Sequence, residues 1–248
     1  MFNWIDTEDV REGVRCRVFR PEAEGHLASA ALYDRPGTHA DQATPLVVVQ
    51  HGGSSPKSGV DVRDCAAEFA GKLGWRVLAL DGPVHGARVP EGQVDEGLAN
   101  RTRFFHLWEH DPDHVRFHVA RWQALLDEAL LTLPCSGLCW FGVSMGTAYG
   151  LPLLAAEQRI RRAVLGMWGT SFVQSQRLLA DARAVRCAVL FQQKWDDELF
   201  TREGQLAIFD AIATTDKRLQ AYVGGHVRVE GEQMREAAKE CEAVMGGP

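Results

Sequence analysis

The sequence predicts an α/β protein built on a mostly parallel sheet with helices on both faces. Runs such as "PLVVVQHGG", "WRVLALDGPVHG" and "CAVLFQQ" are apolar at consecutive positions, as strands covered on both sides are. Other segments carry apolar residues at three- and four-residue steps, the period of an amphipathic helix. The two kinds alternate along the chain, and right-handed crossovers then place helices on both faces of the sheet. With 248 residues, 46% of them hydrophobic, the chain is long enough for one such domain with a full core.

The elements follow in order. "VRCRVFRP" and "LASAALYDRP" are short β-rich segments ended by turn chemistry, which predicts a small antiparallel edge. "PLVVVQHGG" reads as a central strand. From 60 to 73, Val62, Cys65, Ala66, Phe69 and Leu73 fall on one helical face, and Gly74 supplies the stop. "WRVLALDGPVHG" is the next strand. Residues 86 to 113 read as one long irregular stretch, which predicts a small lid within a single domain spanning 1–248. "HVRFHVARWQALLDEALLTL" is a helix halted by Pro134. "GLCWFGV", "RRAVLGMWG", "CAVLFQQ" and "RLQAYVGG" continue the strands, with helical segments near 145 to 158, 203 to 213 and 230 to 245. Pro152 predicts a kink or an early break in the first of these.

Charge and composition exclude several function classes. The formal net charge is -6 and no Lys/Arg cluster appears, so neither nucleic acid nor an anionic membrane surface is an expected partner. No window approaches the roughly eighteen uninterrupted apolar residues of a membrane span. The N-terminal "MFNWIDTEDVREGV" is acidic where a secretory signal is basic, which predicts a cytoplasmic protein. The six cysteines are scattered, and Cys135 and Cys139 lack a matching second pair, so reduced thiols are expected rather than a zinc site. The expected partner is a small molecule; a homo-oligomer is left open.

The chemistry gathers around "FGVSMGTAYG". Gly142, Ser144 and Gly146 fit G-x-S-x-G between a predicted strand and a predicted helix, the context in which a serine is raised on a strained turn as a nucleophile. A serine hydroxyl is a weak nucleophile and needs a base, an acid to orient that base, and donors for an oxyanion. His226, in "YVGGHV" after the last predicted strand, falls on the same sheet edge as Ser144. Asp196 and Asp197 end the preceding strand, and one of them can take the imidazole Nδ1 proton. Oxyanion donors are expected from the Met145 N–H and from the loop "VVVQHGGSS", at Gly53 or its neighbour Ser54. The chemistry calls for no metal and no organic cofactor.

Through "VVVQHGG", "LDGPVHGAR", "FGVSMG", "FQQKWDDELF" and "GGHV", in that order between Val47 and Val227, the chain resembles the α/β-hydrolase family, in particular its compact serine esterase and dienelactone-hydrolase-like members. The resemblance implies a sheet of about eight strands with the second antiparallel. It implies Ser144 as nucleophile, His226 as base and, through the "ELF" that follows it, Asp197 as acid. The serine departs from the cysteine nucleophile of true dienelactone hydrolases.

Phe104, Phe105 and Trp108 crowd the expected lid and Trp168 follows a strand toward the reactive edge; they suit a small apolar substrate group, although such aromatics equally anchor a loop to a core. His51 and His85 read as structural hydrogen-bonding residues. The resulting expectation is hydrolysis of a small carboxylic ester through an acyl-enzyme. Thioesterase, lactonase or peptidase chemistry with the same triad, and a catalytically silent ligand-binding protein of the same fold, are the alternatives.

Overall fold

The computed structural model describes residues 2–5, 9–21, 29–39 and 41–245. Its strands are β1 (Asn3–Trp4), β2 (Asp9–Arg11), β3 (Val14–Arg20), β4 (Ala30–Asp34), β5 (Thr44–Val49), β6 (Arg76–Leu80), β7 (Cys135–Phe141), β8 (Arg162–Gly166), β9 (Ala188–Lys194) and β10 (Lys217–Tyr222). They form one sheet in the order β1-β3-β4-β6-β5-β7-β8-β9-β10, with β2 paired to β3. The six strands from β6 to β10 in that order are parallel. β4 runs against both β3 and β6. The described residues thus hold ten strands where about eight were expected. The two extra ones, β1 and β2, are two and three exposed residues long, too short to carry an alternating pattern.

Helices cover both faces: α1 (Val60–Ala66), α2 (Gly97–His110), α3 (Asp113–Thr132), α4 (Met145–Ala156), α5 (Leu178–Ala184), α6 (Arg202–Ala211) and α7 (Gly231–Met245). α1 continues as a wider π-helical turn over Ala67–Lys72. Successive strand residues divide between two cores, as the two-residue period requires. Leu46, Val48, Leu78, Leu80, Trp140, Leu165 and Phe191 pack with residues of α2, α3, α4, α5 and α6. Val47, Val49, Val77, Ala79, Cys139, Val164 and Leu190 pack on the other side with residues of α1 and α7. Burial on both faces is why these strands read as continuous apolar runs rather than alternating ones.

The strand order also fixes where a ligand can sit. From β5 the chain crosses to β6 on one side, and β7 then pairs with β5 on its other side, so the connections diverge at the β5/β7 boundary. A crevice opens beyond the C-terminal ends of the strands at such a point. The loops after β5, β6, β7, β8, β9 and β10 all emerge at that edge.

Two local expectations are corrected. Residues 86–113 are not one irregular loop: a 3-10 turn at Gly86–Arg88 and a second turn closed by the Gln93 N–H on the Pro90 carbonyl lead into the fourteen-residue α2. Its buried stripe is Asn100, Phe104 and Trp108, four residues apart. The stripe opens on a polar residue and the helix has no side-chain cap at its start, so neither the apolar period nor a capping signal marks it in sequence. Pro152 does not break α4, which continues to Ala156.

Trp108 is fully buried and packs against Phe104, Tyr149 and Trp168, with its Nε1–H donating to the Val173 carbonyl at 3.0 Å. Trp108→Ala is expected to lower the unfolding free energy by about 3–5 kcal/mol in urea denaturation. A loss below about 1 kcal/mol would show that α2 is not held to the core through this ring.

Candidate active site

The turn between β7 and α4 is a tightly constrained piece of backbone at this edge. Ser144 stands at φ 56° and ψ -121°, a conformation that costs a non-glycine residue about 1–3 kcal/mol. Its N–H donates to the Gly166 carbonyl at 2.8 Å. A Cβ on Gly142 would lie 2.9 Å from Gly146 Cα, and one on Gly146 would lie 2.8 Å from the Gln50 carbonyl. Both positions must therefore be glycine for the turn to close against α4 and the end of β5. Thr147, which the sequence did not single out, holds the turn from beneath: its buried hydroxyl accepts from the Gly166 N–H at 2.7 Å and lies 3.0 Å from the Gly142 carbonyl.

Ser144, His226 and Asp197 are brought together. Ser144 Oγ is 2.9 Å from His226 Nε2, and His226 Nδ1 is 2.9 Å from Asp197 Oδ2. With Asp197 ionised, Nδ1–H must be the donor to it, which leaves Nε2 to accept from the serine hydroxyl. The other Asp197 oxygen accepts from the Leu199 and Phe200 N–H groups at 2.9 and 3.0 Å, so this carboxylate is locked by its own following turn. Asp197 is 1% exposed and Asp196 54%, and only the former faces the imidazole.

The neighbours of Asp197 are engaged as well. Asp196 Oδ2 accepts from the Gly224 N–H at 3.1 Å, and Glu198 Oε2 accepts from the His226 N–H at 2.9 Å. Three successive carboxylates thus hold three different groups of the loop that carries the histidine. The His226 N–H beside it holds the Glu198 carboxyl below its ordinary pKa. The run "DDE" at a strand end was the available signal for this clamp; its partners on a loop 28 residues away were not legible.

The loop after β5 passes beside the turn. A Cβ on Gly53 would lie 3.2 Å from the Phe104 ring and 3.9 Å from Met145 Cβ, so the two expected oxyanion donors are on neighbouring backbone. Met145 begins α4, and its N–H is among the helix's orphan donors. His51 joins two loops: the Gly82 N–H donates to its Nε2 at 2.8 Å, and its Nδ1–H donates to the Gly52 carbonyl at 2.8 Å. Both bonds belong to the neutral ring, whose pKa burial lowers. His85 places Nε2 2.8 Å from the Gly53 carbonyl, and burial pushes it down to about 4. These two histidines hold backbone and do not contact Ser144.

A cavity of about 250 Å³ opens on Ser144 and His226, lined further by Gly53, Phe105, Met167, Leu199, Val227 and Arg101 among others. Of the four aromatics named from sequence as substrate contacts, Phe105 lines it. Phe104, Trp108 and Trp168 do not: each is fully buried in the core beneath, where Phe104 touches all three other rings and Tyr149. They anchor α2 rather than wall the pocket. Among the described residues no group of three or more His, Cys, Asp or Glu side chains is placed to hold a metal, and no helix is long and apolar enough to cross a membrane.

No family model matches the chain, and no curated protein matches it by sequence. Solved structures do. A cold-adapted esterase from an Arctic intertidal metagenomic library superposes with a TM-score of 0.78 at 28% identity, covering 96% of this chain and 99% of that one. An acetyl xylan esterase from Paenibacillus sp. R4 superposes at 0.67 with 15% identity, over 99% of this chain and 87% of that one. A dienelactone hydrolase-like promiscuous phosphotriesterase from metagenomic libraries also superposes at 0.67, with 18% identity, over 94% and 96%. The last two likenesses carry the fold alone.

The Glu198 contact can be tested without reference to activity. Glu198→Ala is expected to speed amide hydrogen exchange at His226 at least about tenfold by NMR, since the N–H loses its acceptor, whereas Glu198→Gln retains an acceptor oxygen and most of the protection. Equal exchange in wild type and Glu198→Ala would rule the clamp out.

Proposed function

We propose that this chain, which has the α/β-hydrolase fold and resembles esterases of that fold, hydrolyses small carboxylic esters with Ser144 as nucleophile, His226 as base and Asp197 as the acid that orients it. The observation that carries this proposal is the relay itself: two contacts of 2.9 Å join hydroxyl, imidazole and buried carboxylate, and Ser144 and His226 line a cavity.

Ser144 Oγ attacks the ester carbonyl as its proton passes to His226 Nε2, and the imidazolium so formed is stabilised by Asp197. The carbonyl oxygen gains negative charge and is met by the Gly53 and Met145 N–H groups; one such donor is worth about a hundredfold to a thousandfold in rate. His226 returns the proton to the leaving alcohol. Water then enters, gives its proton to the same Nε2, and attacks the acyl-enzyme, which releases the acid and regenerates Ser144. A proton shuttle of this kind contributes about a hundredfold to ten-thousandfold.

Pocket size supports a small substrate. At about 250 Å³ the cavity is at or below the lower end of the range for ligand sites, roughly 300–1,000 Å³, and Phe105, Leu199, Met167 and Val227 give it an apolar lining. Thioesters and lactones present the same carbonyl chemistry to the same residues, and graded substrates separate them from simple esters.

A fluorophosphonate is expected to modify Ser144 and to leave Ser144→Ala unmodified; a silent binding protein would show no such labelling. With nitrophenyl esters, Asp197→Asn is expected to lower kcat roughly ten-thousandfold by leaving the imidazole in the wrong tautomer, while Asp196→Asn stays within about tenfold. The reverse order would assign the acid to Asp196. Acetyl and butyryl esters are expected to be turned over with higher kcat/KM than decanoyl esters, and a preference for the long chain would contradict the small pocket.

A further inference from the structure

The loop beside the nucleophile is held by a carboxylate that has no part in the relay. Asp61, in the first turn of α1, lines the same cavity as Ser144. Its Oδ2 accepts from the Gly52 N–H at 2.9 Å, and its Oδ1 accepts from the Ser55 hydroxyl at 2.5 Å and from the Val62 N–H at 3.0 Å. Gly59 has no Cβ at the point where the Ser55 hydroxyl meets this carboxylate, and any side chain there would collide with that hydroxyl.

The peptide groups around Gly53 are mostly committed to partners. The Gly52 N–H goes to Asp61, the Gly52 carbonyl accepts from His51 Nδ1 and from the Ser55 N–H, and the Gly53 carbonyl faces His85 Nε2. Among the described residues the Gly53 N–H has no such partner. A trans peptide sets it antiparallel to the Gly52 carbonyl, so the His51 and Ser55 donors on that carbonyl set the direction of the free N–H, and Asp61 holds this unit from either side through the Gly52 N–H and the Ser55 hydroxyl.

We propose that Asp61 is a positioning residue for ester hydrolysis: its carboxylate fixes the turn 52–55 so that the Gly53 N–H meets the developing oxyanion. This rests on the function proposed above. A carboxylate is required, and an amide does not replace it. The Gly52 and Val62 N–H groups approach opposite oxygens and neither can reverse its polarity, whereas asparagine has an oxygen at one end only and sets an N–H2 against an N–H in either orientation. The hydroxyl of Ser55 can turn; the two backbone donors cannot.

The test compares wild type, Asp61→Asn, Ser55→Ala and Ser144→Ala on a nitrophenyl ester, together with inhibition by a trifluoromethyl ketone, whose serine adduct carries an oxyanion. Asp61→Asn is expected to lower kcat about tenfold to hundredfold with KM within about twofold, and to weaken the ketone by the same factor, because a displaced donor is lost to the transition state and not to the ground state. Ser55→Ala is expected to lower kcat severalfold in the same pattern, and it carries the test by itself if Asp61→Asn does not fold. Unchanged kcat and ketone affinity in the folded variants would overturn the proposal, as would a loss confined to KM. Turnover that survives in Ser144→Ala would instead remove the ester-hydrolase reading and the role of Asp61 with it.

Discussion

The backbone at Ser144 is the constraint from which the rest of this edge follows. A positive φ at a non-glycine residue is unfavourable by about 1–3 kcal/mol and persists only where the surroundings over-determine it. Here they do: the C-terminal half of β7 and the first turns of α4 are buried, Gly142 and Gly146 let them meet, the Ser144 N–H is taken by Gly166, and the Thr147 hydroxyl ties both strand ends. The reward is an oxygen lifted clear of the sheet at the point where the connections on either side of β5 diverge.

Around that fixed point the loops are set by carboxylates bonded to backbone and side-chain donors rather than by regular structure. Asp197, flanked by Asp196 and Glu198, anchors the histidine loop. Asp61 holds the turn after β5, and the Lys57–Asp81 pair at 2.7 Å, with Asp81 fully buried, joins the far end of that turn to the end of β6. Pairs of this kind add little net stability against an apolar replacement, but removing one partner leaves an uncompensated charge, so they define geometry more than they add free energy. A turn that must keep one N–H unpartnered needs its other polar groups committed in this way.

Much of this was legible in the sequence because it is written in short-range pattern. Consecutive apolar residues in "PLVVV" and "CAVLF" marked strands buried on both faces, and the glycines around Ser144 marked the turn. The order of serine, acid and histidine along the chain put all three after strands of one parallel set. What was not legible depended on long-range partners. α2 hides its start behind Asn100, whose burial is satisfied by Asp95 rather than by apolar contact. Phe104, Trp108 and Trp168 are as apolar as a pocket wall would be, and only the packing of α2 turns them inward. Asp61 and Glu198 look like solvated acids until the N–H groups of Gly52 and His226 are brought to them.

The crystal structure of the protein after reaction with a phosphonate ester inhibitor is the most direct test of this site. Density joining Ser144 Oγ to phosphorus, with the phosphoryl oxygen within about 3 Å of both the Gly53 and Met145 nitrogens and His226 still on Asp197, is the predicted result. Phosphorus bound elsewhere, or a phosphoryl oxygen turned away from both nitrogens, would contradict it.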